Sequence, residues 1–142
     1  MDGRNFVIER LTHVTILVRD EDEALDFYTK KLGFGVVEDA RMPGGDRWLT
    51  VAPPGDNVQI VLQKPGPATF GEEGARDMLG RVGQGTGWVF KVGDCRRTCD
   101  GLAEKGVKII SPPQDLGFAV EAVFQDLYGN AFTLMEPSAG RK

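Results

Sequence analysis

Landmarks 74 residues apart recur along this chain. His13-Val-Thr-Ile-Leu-Val-Arg-Asp20 is answered at that distance by Gly87-Trp-Val-Phe-Lys-Val-Gly-Asp94. Pro54-Gly55-Asp56-Asn57-Val58-Gln59 is answered by Tyr128-Gly129-Asn130-Ala131-Phe132-Thr133. One offset shared by separate landmarks marks a duplicated supersecondary module. Duplication limits the fold severely: two copies of one unit must bury their apolar faces, and equivalent positions of each copy then line a cleft.

Within the first copy, residues 12–18 alternate and are rich in β-branched side chains, which predicts a strand. Asp20 or Asp22 caps a helix over 23–32, stopped by Gly33. Strands follow at 35–41, 47–51 and 58–63, separated by the turn clusters Gly44-Gly45-Asp46 and Pro53-Pro54-Gly55-Asp56. The second copy repeats the order: a strand at 87–92, a helix at 96–105 ended by Gly106, and strands at 107–110, 119–125 and 131–135. The reading is an α+β fold of two tandem βαβββ modules, over 11–63 and 87–137, in one domain spanning 11–137. Residues 64–86 form a linker or lid with a short helix at 72–79, longer than a plain connection needs.

A formal net charge of −4 argues against binding nucleic-acid phosphates. No apolar run reaches the roughly 20 residues that span a bilayer, and the N-terminus is no signal peptide, so the cytoplasm is expected. Cys95 and Cys99 share one helical face but make no Cys-x-x-Cys motif. A disulfide within one helix is geometrically poor, and two thiolates are an incomplete zinc site. The glycines at 83, 85 and 87 precede a strand instead of opening a helix, so they form no phosphate loop.

Three motifs carry a family resemblance: His13-x-x-Ile16-x-Val18-x-Asp20, Phe27-Tyr28-x-x-x-Leu32-Gly33-Phe34, and Phe124-x-Asp126-x-x-Gly129-Asn130. Together and in order, they resemble the vicinal oxygen chelate superfamily of glyoxalase I, extradiol dioxygenases, fosfomycin-resistance enzymes and bleomycin-binding proteins. The resemblance implies paired modules bent into open curved sheets. It also implies a cleft completed in a homodimer, with or without exchange of modules between chains. The family's metal positions fall here on His13, Gln59, Gly87 and Thr133. One imidazole, one amide, one neutral hydroxyl and one glycine fall short of the three protein ligands that a catalytic site wants, so these positions read as vestigial and no metal or other cofactor is expected. Glu136 stands an odd step from Thr133 and points to the other face.

With His13 facing the cleft, alternation brings Thr15 and Leu17 with it. Val61 follows Gln59, Val89 follows Gly87 and Met135 follows Thr133. Trp48 is expected beside them as a platform for a flat ligand, whereas Trp88 is expected in the core. A roomy, mostly apolar cavity with a few polar groups fits a binding site better than a charged reaction centre. The expected function is metal-independent binding of a small molecule, such as a bulky aromatic antibiotic or metabolite, as in the bleomycin-resistance branch. The rival is an enzyme: a glyoxalase-like metal-dependent lyase or dioxygenase, or a metal-free isomerase using His13.

Overall fold

The structure, a computed structural model, describes residues 7–84 and 86–138. The first module runs β1 (His13–Leu17), α1 (Glu21–Asp26), a π-helical turn (Phe27–Lys31), β2 (Gly35–Arg41), β3 (Arg47–Ala52) and β4 (Gln59–Gln63). After α2 (Pro67–Leu79), the second module repeats the order with β5 (Trp88–Lys91), α3 (Cys95–Glu104), β6 (Lys108–Asp115), β7 (Ala119–Gln125) and β8 (Ala131–Pro137). Each module forms a four-stranded sheet, β1-β4-β3-β2 and β5-β8-β7-β6. In each the first strand lies parallel to the fourth and the remaining pairs are antiparallel.

Local chemistry explains the elements. Asp20 and Asp94 cap the two module helices, each carboxylate accepting the N–H three residues on at 3.0 Å. Alternation sends Ile16, Val18, Leu49, Val51, Ile60 and Leu62 under the helices of the first module, all buried. In the second module Phe132 occupies the centre, its ring 5.3 Å from Phe124, 5.5 Å from Phe90 and 5.9 Å from Trp88. Trp88 thus packs against the core but is only half-buried, with part of its side chain on the groove at the seam. Each such side chain contributes about 1.5–3 kcal/mol when fully buried.

The helix-side faces of both sheets share one core. A polar clasp runs through this seam. The Tyr28 hydroxyl donates to Asp126 Oδ2 at 2.7 Å, and the same carboxylate accepts the N–H groups of Tyr128 and Asn130 and the Asn130 amide. Tyr128 answers from the second module: its hydroxyl meets the Asp20 backbone at 3.1 Å and Glu23 at 2.9 Å, with Arg19 over its ring.

Three expectations are corrected. The first helix starts at Glu21 and finishes as a π-helical turn. β6 continues through Pro112 and Pro113 to Asp115, beyond the expected end at 110. On this edge strand one proline nitrogen faces the free side, and the other falls where the pairing with β7 is irregular, between Ser111 and Gln114, so neither is required to donate to the ladder. The helix of the connection starts at Pro67 instead of 72, with proline at its favoured first position, and kinks at Gly71 (φ 72°, ψ 169°).

The repeat also drifts. The offset is 74 at the start of each module, where Asp20 matches Asp94. The π-helical turn makes the first module's helix 11 residues against 10 for α3. From there β2 and β3 match β6 and β7 at 73: the bulge between Val36 and Glu38 recurs between Ile109 and Ser111. The turn after β3 has one residue more than the turn after β7, so β4 matches β8 at 72. The register shows the result: His13 pairs with Gln59, whereas Val89 pairs with Thr133.

Candidate functional site

The face of the first sheet turned away from the helices carries His13, Thr15, Leu17, Trp48, Gln59 and Val61. Parallel pairing sets His13 beside Gln59 and Thr15 beside Val61. The His13 and Trp48 rings lie 5.4 Å apart, tilted by 54°. Thr50, fully buried, donates its hydroxyl to Gln59 Oε1 at 2.7 Å and accepts the Glu38 N–H at 3.0 Å. The Trp48 indole N–H donates to Glu38 Oε1 at 3.1 Å, fixing the ring.

Thr50 and Glu38 are residues that sequence reasoning passed over. Trp48 and Thr50 stand two apart and so share a face. The bulge at Val36/Glu38 brings Glu38 to that same face. An acidic residue across a hairpin from a tryptophan was the available signal.

His13 holds the sharpest feature. Its Nδ1 lies 2.8 Å from the Thr12 hydroxyl. Its Nε2 is buried and has no hydrogen-bond partner among the described residues. A buried polar atom left so costs about 1–3 kcal/mol. Thr12 can donate to Nδ1, leaving Nε2 as an N–H donor, or accept from it, leaving Nε2 as an acceptor. Either tautomer presents one polar atom beside an aromatic wall.

The second sheet carries Gly87, Val89, Thr133 and Met135. Val89 pairs with Thr133 and Lys91 with Met135, while Glu121 stands opposite Met135 on β7. Gly87 precedes β5 instead of starting it. It holds φ +67°, and its N–H donates to Ala131 at 3.2 Å. The structural counterpart of Gln59 is therefore Ala131, with Thr133 matching Val61. A Cβ on Gly87 would meet nothing within 4 Å, so the space at this position is open. Val89 and Trp88 line a groove of about 380 Å³ at the seam, with Leu11, Val14, Val58 and Ile60 opposite. The ring and hydrogen-bond contacts of His13, Trp48, Thr50 and Gln59 all stay within the first module. One chain thus supplies a polar-aromatic half-site and an apolar half-site on separate sheets.

Glu136 faces the helix side, as expected, accepting the Cys95 N–H at 2.8 Å. Among the described residues no group of three or more His, Cys, Asp or Glu could hold a metal ion.

The family model for the Glyoxalase/Bleomycin resistance protein/Dioxygenase superfamily matches residues 10–134. An uncharacterized protein of Shewanella frigidimarina (strain NCIMB 400) is 35% identical over 131 residues, 90% of this chain and 93% of that protein. Among solved structures, UcmS2 is 39% identical with a TM-score of 0.80, covering 91% of this chain and 98% of its own. TnmS3, an antibiotic binding protein from Streptomyces sp. CB03234, is 30% identical with a TM-score of 0.75, over 92% of this chain and 98% of its own.

Proposed function

This chain belongs to the glyoxalase/bleomycin resistance protein/dioxygenase superfamily, and within it we propose a metal-independent protein that binds a bulky, partly aromatic small molecule of the antibiotic type. The observation that carries the reading is His13 Nε2, buried and without a hydrogen-bond partner among the described residues, on a ring that lies 5.4 Å from that of Trp48. A ligand with one polar atom at the edge of a flat ring system satisfies the nitrogen and stacks on the indole. The likeness to the antibiotic-binding TnmS3 supports the same class of ligand.

The donor set does not fit a divalent ion. The Gln59 Oε1 already accepts the Thr50 hydroxyl, Gly87 offers no side chain, and Ala131 stands where a fourth ligand would come from. His13 is the one imidazole in the chain. A single strong ligand does not make a stable site.

Because the two half-sites lie on separate sheets, we propose that a homodimer completes each cleft. A panel of aromatic antibiotics monitored through Trp48 fluorescence, with Trp48→Phe as control, tests the binding reading. His13→Leu should lose at least tenfold in affinity, about 1.4 kcal/mol, while folding as stably as the parent, since it removes an unpaired polar atom. Unchanged affinity in the folded variant defeats the proposal. The same nitrogen also favours a metal-free isomerase as second reading. Mass spectrometry of the incubated compound separates the two, because a sequestering protein returns it unaltered.

A further inference from the structure

The duplication places two pseudo-equivalent junctions at the seam, one for each helix against the other module's turn. The first is closed: the Tyr28 ring lies 5.8 Å from Phe34 and 6.5 Å from Phe132, with its hydroxyl on Asp126. Leu102 stands 74 residues after Tyr28 and is its counterpart in structure too. The carbonyl of each accepts the N–H of the residue that follows the helix-ending glycine, Phe34 and Val107 respectively, at 3.0 Å. At the second junction, then, a leucine replaces a tyrosine. The match to Asp126 is Ala52 by the repeat and Pro53 by the turn; the match to Tyr128 is Pro54 or Gly55. Neither alignment leaves a carboxylate or an aromatic ring there.

The space that the missing aromatic side chain would occupy is a pocket of about 210 Å³, open on one side and walled mainly by Phe34, Pro54, Phe90, Leu102, Phe124 and Leu134. Its polar neighbours are spoken for or turned outward: the Thr98 hydroxyl donates to the Asp94 carbonyl at 2.7 Å, and Lys91 is exposed. We infer that this cavity is a second binding site, on the opposite side of the sheets from His13, for a small apolar monocyclic aromatic such as an alkylbenzene. Three facts fix that class. The twin junction is filled by a phenol ring; three phenylalanines form the walls; and the carboxylate that holds the Tyr28 hydroxyl has no equivalent. An enclosed apolar cavity of about 150 Å³ lined by Leu, Ile and Phe takes benzene; this pocket of about 210 Å³ opens to solvent on one side, so it has room for the ring with a methyl group directed to the mouth.

The probe is toluene, titrated into the full chain with methyl groups labelled for NMR. Saturable shifts are expected at Leu32, Val92, Leu102 and Leu134, with phenol at least tenfold weaker. Shifts confined to Leu17, Val61 and Val89, no saturation, or equal affinity for phenol would overturn the assignment. Leu102→Phe refills the space and should weaken toluene at least tenfold without altering the Trp48 fluorescence response to cleft ligands, so failure here is distinct from failure of the His13 reading. Retained toluene affinity in that variant overturns the site, and so does affinity that falls as protein concentration rises, which would mean a second copy covers it. If the variant does not fold, the shift map on the parent protein decides.

Discussion

A buried carboxylate survives only with its lone pairs occupied, and Asp126 has four donors around it: the Tyr28 hydroxyl, two backbone N–H groups and the Asn130 amide. Tyr28→Phe removes one, a hydrogen bond to a charged acceptor, and should cost about 1.5–3 kcal/mol by urea denaturation. The binding cleft is untouched by that change, so affinity of the folded fraction should hold. Cys95 gives a pH prediction. Burial, then the neighbouring Cys99, pushes its thiol up to about 11 from an ordinary 9.0. The folded state holds the thiol proton more tightly. The resulting stability is fully present below pH 9 and lost as pH rises through about 11. At pH 8 the thiolate fraction is about a hundredfold below that of the unfolded chain, so a thiol reagent should label the native protein at least that much more slowly. Equal rates would show that Cys95 is neither buried nor shifted. At this scale the sequence was readable where alternation is unbroken, as from Leu49 to Trp48 on the opposite face. Reading failed at Glu38, because a bulge resets the alternation and the acidic residue's place across the hairpin from Trp48 was the one signal left.

Among the elements, the connection between the modules is the most sensitive to glycine. Gly83 holds φ +83°, next to the buried Val82, and a Cβ placed on it would run into the Tyr128 backbone carbonyl. A methyl there meets main chain that cannot rotate away. Gly83→Ala should therefore cost more than the roughly 1–2 kcal/mol of a left-handed residue alone. Gly71 differs: its positive φ kinks α2, but a Cβ would meet nothing within 4 Å. Gly71→Ala should cost only the backbone penalty of about 1–3 kcal/mol, and thermal denaturation of the two variants side by side checks the order. A Gly71 variant less stable than the Gly83 one would reverse this account of the seam. The same elements mark where sequence reading stopped. The β-branched strands and the Asp-capped helices announce themselves through local chemistry. The length of α2 and of β6 depended on prolines whose meaning is set by position, at a helix start and on a sheet edge, and position is a tertiary fact.

At the scale of the whole molecule, the duplication was legible as one offset, while its consequence for the cleft was not. One extra residue in a π-helical turn and one in a turn slip β8 by two against the repeat. A two-residue slip keeps each side chain on its face, so Thr133 and Met135 stay with Val89, but Ala131 takes the place opposite Gly87. The apolar half-site is consequently more open than the repeat implied, with Val89 56% exposed. Val36, Val37, Ile110 and Phe118 add exposed apolar surface along the outer strands and the β6–β7 turn. Isolated apolar residues on a surface mean little, but several of them on edge strands invite a partner. A second copy can cover this surface and set the His13–Trp48 face of one protomer against the Val89–Thr133 face of the other. The chain should accordingly sediment as a homodimer of about 31 kDa, twice its 15.5 kDa. Stability should then rise with protein concentration, since unfolding and dissociation are linked. Val89→Glu should weaken the dimer and ligand affinity together, placing a charge at the centre of an apolar contact. A monomer at micromolar concentration that still binds the aromatic ligand would mean that one chain closes its own cleft, and the two half-sites would have to meet within it.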